Sequence, residues 1–201
     1  MKKLFLALII LIAFGVSASA QVPTPFSLYA GGAISLPQSP SEFKDGFKNG
    51  FSGMLGVGWK LMPNLQAVGK VEMHSFAVDF EQQGLATSYP NLSGGSNRVW
   101  MFGVDGRYSL GLPAAPFKPF ALAGIGLAKI DQTDYSGDPL ATSLNSSIPN
   151  AQSKMYWNIG AGFEFKSTPL FGLFAQVRYV SVATDGGSSS FIPITLGLKF
   201  F

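Results

Sequence analysis

Twelve polar side chains recur along stretches that otherwise alternate apolar and small residues: Lys60; Lys70, Glu72 and His74; Asp105 and Arg107; Asn158, Glu164 and Lys166; Gln176 and Arg178; and Lys199. A spacing of two places the members of each run on one face of a β-strand. Such a set is open to three chemistries. The acids Glu72, Asp105 and Glu164 can each meet a lysine or arginine on a neighbouring strand and fill an interior with paired charge. The same residues, mostly basic, could instead line a narrow path that favours anions. His74, the single histidine, could act as a base in acyl chemistry if a serine or acid stood at its level. No conspicuous partner is spaced to do so, and a hydrogen-bonding role beside Glu72 is the simpler expectation. One histidine and no cysteine leave no metal site. Asp131, Asp134 and Asp138 have a loose calcium-like spacing but lack the ligand at the twelfth position of a calcium loop. No catalytic, cofactor-binding or metal-binding residue is assigned.

The chain that must position these groups has 201 residues, of which 47% are apolar and only 12% charged, with 24 glycines and no cysteine. Soluble proteins carry about 25% charged residues. Beyond the N-terminus no run of about 18 apolar residues exists, which excludes helical spans. A lipid-facing protein without such runs must carry its hydrophobicity in alternation. At the N-terminus Lys2 and Lys3 precede an apolar stretch, 4–16, and then Ala18-Ser19-Ala20. That pattern is a secretory signal peptide, residues 1–20, cleaved after Ala20 to leave a domain of residues 21–201. Loss of the two lysines leaves 12 basic residues against 11 acidic, so the net charge falls from +3 to +1. A nucleic-acid partner is excluded with it. The exported domain must also be stable without disulfides.

Alternation predicts eight strands, at 26–36, 51–61, 65–80, 98–110, 117–130, 155–166, 171–182 and 191–201. In the third the phase slips beyond Ser75, where Phe76, Val78 and Phe80 become the apolar set, which suggests a bulge or an extension above a membrane. In the fifth, Phe120 and Leu122 are out of phase with Ile125 and Leu127, and its faces stay open. The connections 37–50, 82–97, 131–154 and 183–190 are long and polar, and those between them are short. The fold expected is all-β: an eight-stranded antiparallel up-and-down transmembrane β-barrel with short periplasmic turns and four longer extracellular loops. Aromatic belts then fall at Trp59, Tyr108, Phe165 and Phe200 on the lower rim and at Phe51, Trp100, Trp157 and Phe191 on the upper. A soluble barrel would also alternate, but charges interleaved with glycine and alanine suit a narrow lumen better than a wet surface.

Three stretches carry a family likeness: P-F-K-P-F-A-L-A-G-I-G-L at 116–127, F-A-Q-V-R-Y at 174–179 and T-L-G-L-K-F-F at 195–201. Over residues 21–201 the chain resembles the small eight-stranded outer-membrane barrels of the OmpA transmembrane-domain, OmpX and opacity-protein type. The resemblance implies an outer-membrane location, surroundings of outer-membrane lipid and lipopolysaccharide, and recognition of the C-terminal strand by the barrel-insertion machinery. The expected protein is a monomer without cofactor, with a polar plugged lumen and a structural or adhesion-like role, its outer loops open to a surface ligand. A narrow pore and a lipid A-modifying enzyme are the alternatives. Two positions depart from the family pattern: Gln176 stands where relatives often carry an acid, and Phe201 extends one residue past the outward Phe200. Mass spectrometry of the protein extracted from membranes should return an N-terminus at Gln21; an intact Met1 would mean that the apolar leader is an anchor instead.

Overall fold

The computed structural model describes residues 25–110 and 116–201. The expected signal peptide and most of the connection before Phe117 lie outside the described residues. Ten strands follow in order: β1 (Phe26–Ser39), β2 (Gly50–Met62), β3 (Leu65–Phe76), β4 (Ser93–Gly94), β5 (Asn97–Ser109), β6 (Phe117–Gln132), β7 (Tyr135–Ser136), β8 (Gln152–Lys166), β9 (Phe171–Thr184) and β10 (Gly187–Phe200). Eight of them form one closed antiparallel barrel, in which β10 pairs with both β9 and β1. The other two, β4 and β7, make a small ribbon outside it.

The alternation in sequence becomes an inside-out distribution. Leu55, Ile125 and Leu196 are 65%, 63% and 67% exposed on the outer wall, while Lys70, Glu72 and Arg178 are 4%, 2% and 1% exposed inside. A soluble sheet buries its apolar face and wets its polar one. Here the apolar face is the one that needs a nonaqueous solvent.

Parity is stricter than the sequence suggests. β3 pairs with β5 without a shift from Leu65 to Phe76, so there is no bulge at Ser75. Phe76 and Val78 lie on the same inward face as His74, and both are buried. What changes at this level is the character of the lumen, from charged to apolar. β6 likewise keeps one register against β5 and β8 throughout. Phe120 and Leu122 point inward and are buried, whereas Ile125 and Leu127 point out.

Seven of the expected belt aromatics stand on the outer wall or its rim: Phe51, Trp59, Trp100, Tyr108, Trp157 and Phe165 are exposed and Phe200 is half-buried. Phe191 is the correction. It shares its parity with Thr195 and Lys199, so its ring turns inward, 1% exposed, against His74 and Phe76 at 4.8 and 5.4 Å between ring centroids.

The outer connections are more ordered than their composition implies. The first carries a short helix, Ser41–Gly46, that drops Phe43 into the top of the barrel. The fourth is largely strand: β9 and β10 run on until Thr184 pairs with Gly187 across Asp185-Gly186. Asp-Gly is a strong hairpin turn signal, and Gly187 adopts a positive φ of 147° that favours glycine there.

Several inner glycines are demanded by close approach of strands and side chains. A Cβ on Gly126 would lie 2.6 Å from both the Gly103 Cα and the Tyr156 ring. On the outer wall Gly53 has nothing within 4 Å of the same position. Gly126→Val should therefore destabilise the barrel by about 1–3 kcal/mol or block its folding, while Gly53→Val should be tolerated. Loss of the heat-dependent gel shift in the first variant and its retention in the second would show this; equal behaviour would refute it.

Candidate functional site

The inward side chains stack in three layers along the barrel axis. The lowest, nearest the short turns, centres on Glu164. Its carboxylate accepts from Arg107 Nη1 at 2.9 Å and from Lys199 Nζ at 2.7 Å. Arg107 Nη2 donates to Gln176 Oε1 at 2.8 Å, and its guanidinium carbon lies 4.0 Å from the centre of the Phe120 ring and 4.8 Å from that of Tyr29. Tyr29 in turn donates to Gln66 Oε1 at 2.6 Å, and Gln66 Nε2 to Ser27 Oγ at 2.6 Å. Planar, weakly hydrated arginine is the cation best suited to sit among aromatic faces in this way. With Gln176 neutral, the Arg107–Lys199–Glu164 group holds two positive side chains and one negative.

The middle layer is neutral. Arg178 grips Glu72 with two parallel hydrogen bonds of 3.0 and 2.5 Å. Lys70 lies 3.2 Å from Glu72 and 2.8 Å from Asp105, which also accepts from Asn158 Nδ2 at 3.0 Å. Two acids face two bases, and Glu72, Arg178 and Asp105 also make side-chain hydrogen bonds while Lys70 is held by its two ion pairs.

Three of these pairs join strands that are not neighbours, and one of them, Glu72–Arg178, spans the barrel. Glu72 on β3 meets Arg178 on β9, and Glu164 on β8 meets Arg107 on β5 and Lys199 on β10. Lys70 and Asp105 do join neighbouring strands. The sequence reading expected adjacent-strand pairs throughout, but an eight-stranded barrel is narrow enough for long side chains to reach across its axis.

His74 occupies the boundary with the third layer. Its Nδ1 is 2.9 Å from Ser35 Oγ, so serine on β1, rather than Glu72, is its hydrogen-bond partner. Ser35 sits on the inward parity of its strand, the signal that could have found it. A serine bonded to a histidine is half of a nucleophilic pair. Both residues are 0% exposed, however, and the rings of Phe76 and Phe191 lie against the imidazole. Nothing the size of a substrate reaches the hydroxyl in this arrangement. Among the described residues no cluster of three or more acids or histidines could hold a metal ion.

The third layer, toward the long connections, is apolar: Phe43, Phe76, Val99, Met101, Ala128, Tyr156, Val180, Val182 and Phe191 pack as one buried cluster. Met101 and Val180 have the inward parity that the sequence alternation gives them, whereas Phe191 is expected outward, and the cluster as a whole is not anticipated from the sequence. Two expected lumen residues lie elsewhere. Lys60 and Lys166 have inward parity, but their strands project past the lumen, so both are exposed at the lower rim. There the Phe201 ring lies 5.3 Å from Lys166 Nζ and 5.1 Å from Lys199 Nζ, and its amide donates to Leu170 O at 3.0 Å. The terminal aromatic thus tucks beneath the mouth beside two cations. Lys118, which pairs in register with Glu164, belongs to the same rim and was hidden by the open faces of the fifth predicted strand.

A closed eight-stranded barrel with an apolar exterior, aromatic rims and an interior of paired charge defines the transmembrane β-barrels of outer membranes. Residues 6–200 match the outer membrane protein beta-barrel domain, and the chain belongs to that family. Its location is therefore the outer membrane. Neisserial surface protein A has a similar fold, with a TM-score of 0.61 at 17% identity over 88% of this chain and 97% of that one. OprG of Pseudomonas aeruginosa gives 0.55 at 11% identity over 87% and 94%. The attachment invasion locus protein Ail of Yersinia pestis, solved with the heparin analogue sucrose octasulfate, gives 0.51 at 16% identity over 87% and 97%. No curated protein matches the sequence. Identities this low establish the shared fold alone.

Removing one member of the middle layer should expose the cost of an unpaired buried charge. Arg178→Met should destabilise the barrel by about 3–5 kcal/mol, and adding Glu72→Gln to it should recover a large part. Urea titration of the protein in lipid vesicles measures both; a double variant no better than the single one would show that the pair is not coupled.

Proposed function

We propose that this is a non-enzymatic surface-contact barrel, in which a plugged lumen serves as a rigid pedestal for the outer connections. The observation that supports this reading is the lacing of those connections to one another. The first and second are joined by Lys48 N donating to Ala77 O at 2.8 Å and Asp79 N to Gly46 O at 2.9 Å. The second and third share the ribbon in which Ser93 and Gly94 pair with Ser136 and Tyr135. Within the third, Asn145 exchanges hydrogen bonds of 2.7 and 3.0 Å with the Tyr135 backbone. An ion pair between Lys154 and Asp185 reaches the fourth. A surface that is already ordered loses less entropy when it meets a partner.

Charge narrows the partner. At this end Glu42, Asp45, Asp79, Glu81, Asp131, Asp134, Asp138 and Asp185 outnumber Lys44, Lys48, Arg98, Lys129 and Lys154. That balance suits a neutral or basic surface and disfavours polyanions such as the heparin analogue held by the Yersinia protein. Below the loops, the proposed setting is outer-membrane lipid and lipopolysaccharide, reached by insertion through β10 after removal of the leader. The three packed layers of the lumen argue against conduction.

Two measurements test the reading. Deleting residues 137–149 should leave a heat-modifiable barrel but abolish attachment of cells expressing it to host-cell or matrix-coated surfaces. Planar-bilayer recordings of the intact protein should be silent. Unchanged attachment, or steady anion-selective conductance, would replace this reading with the pore.

A further inference from the structure

The short-turn end of the barrel carries charge of mainly one sign. Five cationic side chains, Lys60, Arg107, Lys118, Lys166 and Lys199, stand there against a single acidic one, Glu164. A carboxylate at the end of Phe201 would lower that excess by one and leave it positive. The outer end has the opposite balance, so charge is sorted along the barrel axis.

Four of these cations ring the mouth. Lys60 lies on β2, Lys118 on β6, Lys166 on β8 and Lys199 on β10, strands spread around the closed order β1-β10-β9-β8-β6-β5-β3-β2. Each occupies an inward-parity position one residue from an aromatic of the outer wall, respectively Trp59, Phe117, Phe165 and Phe200. Belt aromatics sit at the level of the lipid headgroups, so the ring lies at the membrane surface. Lys60, Lys166 and Lys199 are all close enough to Lys118 to act on its charge. Lys166 and Lys199 share the Phe201 ring, at 5.3 and 5.1 Å. Further in, the lumen is closed by the layer in which Glu164 is already engaged by Arg107 and Lys199. Lys60 and Lys166 make no ion pair among the described residues.

Like charges held around one opening repel, and an anion placed between them is drawn to all of them at once. A carboxylate brings one charge. A phosphate monoester brings about −1.5 to −2 and three strong acceptor oxygens, and linked phosphates bring more in a compact body. Lysine binds such groups as a flexible point charge. We propose that the lower mouth is a periplasm-facing binding site for phosphate groups, held by Lys60, Lys118 and Lys166 with Lys199 beneath them. That chemistry has two sources at this level, a soluble oligophosphate and a lipid headgroup that ends in a phosphate monoester. The site is blind, so binding there is distinct from conduction. It also stands apart from the contact reading of the loops, which concerns the opposite end.

The soluble probe is tripolyphosphate, titrated calorimetrically into the full-length protein in phosphatidylcholine nanodiscs. It should bind, and more weakly as salt is raised. Lys60→Gln, Lys118→Gln and Lys166→Gln should each weaken binding about fivefold, and the triple variant should abolish it. Lys44→Gln combined with Lys48→Gln, at the outer end, should change nothing. The lipid probe is phosphatidic acid mixed into the discs, with the retained lipid counted by native mass spectrometry. More lipid on the wild type than on the triple variant would assign the site to headgroups; equal retention beside tripolyphosphate binding would assign it to soluble phosphate. The gel shift on heating reports whether each variant folds, and the single variants decide the matter even if the triple one does not. Failure of both probes, or binding indifferent to the lysine variants, would overturn the proposal. So would a tetra-aspartate peptide that binds more tightly than tripolyphosphate, which would make the mouth a site for acidic peptides.

Discussion

Hydrocarbon offers no water to pair with a free backbone N–H or C=O, so a sheet survives there only if its first and last edges find each other. In this chain those edges are β1 and β10, antiparallel from Leu28 opposite Phe200 to Pro37 opposite Phe191. The seam joins residues from the two ends of the described chain, the most distant contact the fold makes. Pro193 interrupts the pairing of β10 with β9 between Phe191 and Ile194, as a residue without an N–H must. The interruption is absorbed because the strands on both sides of it remain in register.

Closure fixes the interior volume, and the interior follows from it. With eight strands the lumen is only as wide as opposed side chains. Long charged residues therefore meet across the axis, and glycines such as Gly126 and Gly103 stand where the Tyr156 ring needs room. The charges are arranged in closed groups: Glu72 with Arg178 and Lys70, Asp105 with Lys70 and Asn158, Glu164 with Arg107 and Lys199. Such groups are an expensive filling if any member is missing, and they tie β3, β5, β8, β9 and β10 together through the middle of the barrel.

At the outer end the filling of the lumen changes. Toward the long connections the inward face turns from charged to apolar, and Phe76, Met101, Val180 and Phe191 make a small conventional core there. That core supports the laced connections above it. The outer wall keeps its apolar residues for lipid, ringed by Trp59, Tyr108 and Phe165 below and Phe51, Trp100 and Trp157 above.

Period-two alternation, turn residues and the rhythm of long and short connections were enough to place the eight barrel strands to within a few residues and to decide which face meets lipid, because these are local properties of a pleated chain. The polar residues of the lumen were legible for the same reason, as every second position opposite an apolar one. Where aromatics had inward parity the local signal misled or stayed silent: Phe76 and Phe191 look like lipid-facing residues in sequence and become lumen residues in the barrel, and Phe120, whose face the alternation leaves open, joins them. Which acid meets which base was not legible, since Glu72 and Arg178 lie 106 positions apart on strands that are not neighbours. Nor was the pairing of Ser35 with His74. The alternating chain by itself determined a barrel with charge inside and lipid outside. Only closure, by bringing strands face to face across a narrow axis, decided how that charge is paired and where the interior gives way to an apolar core.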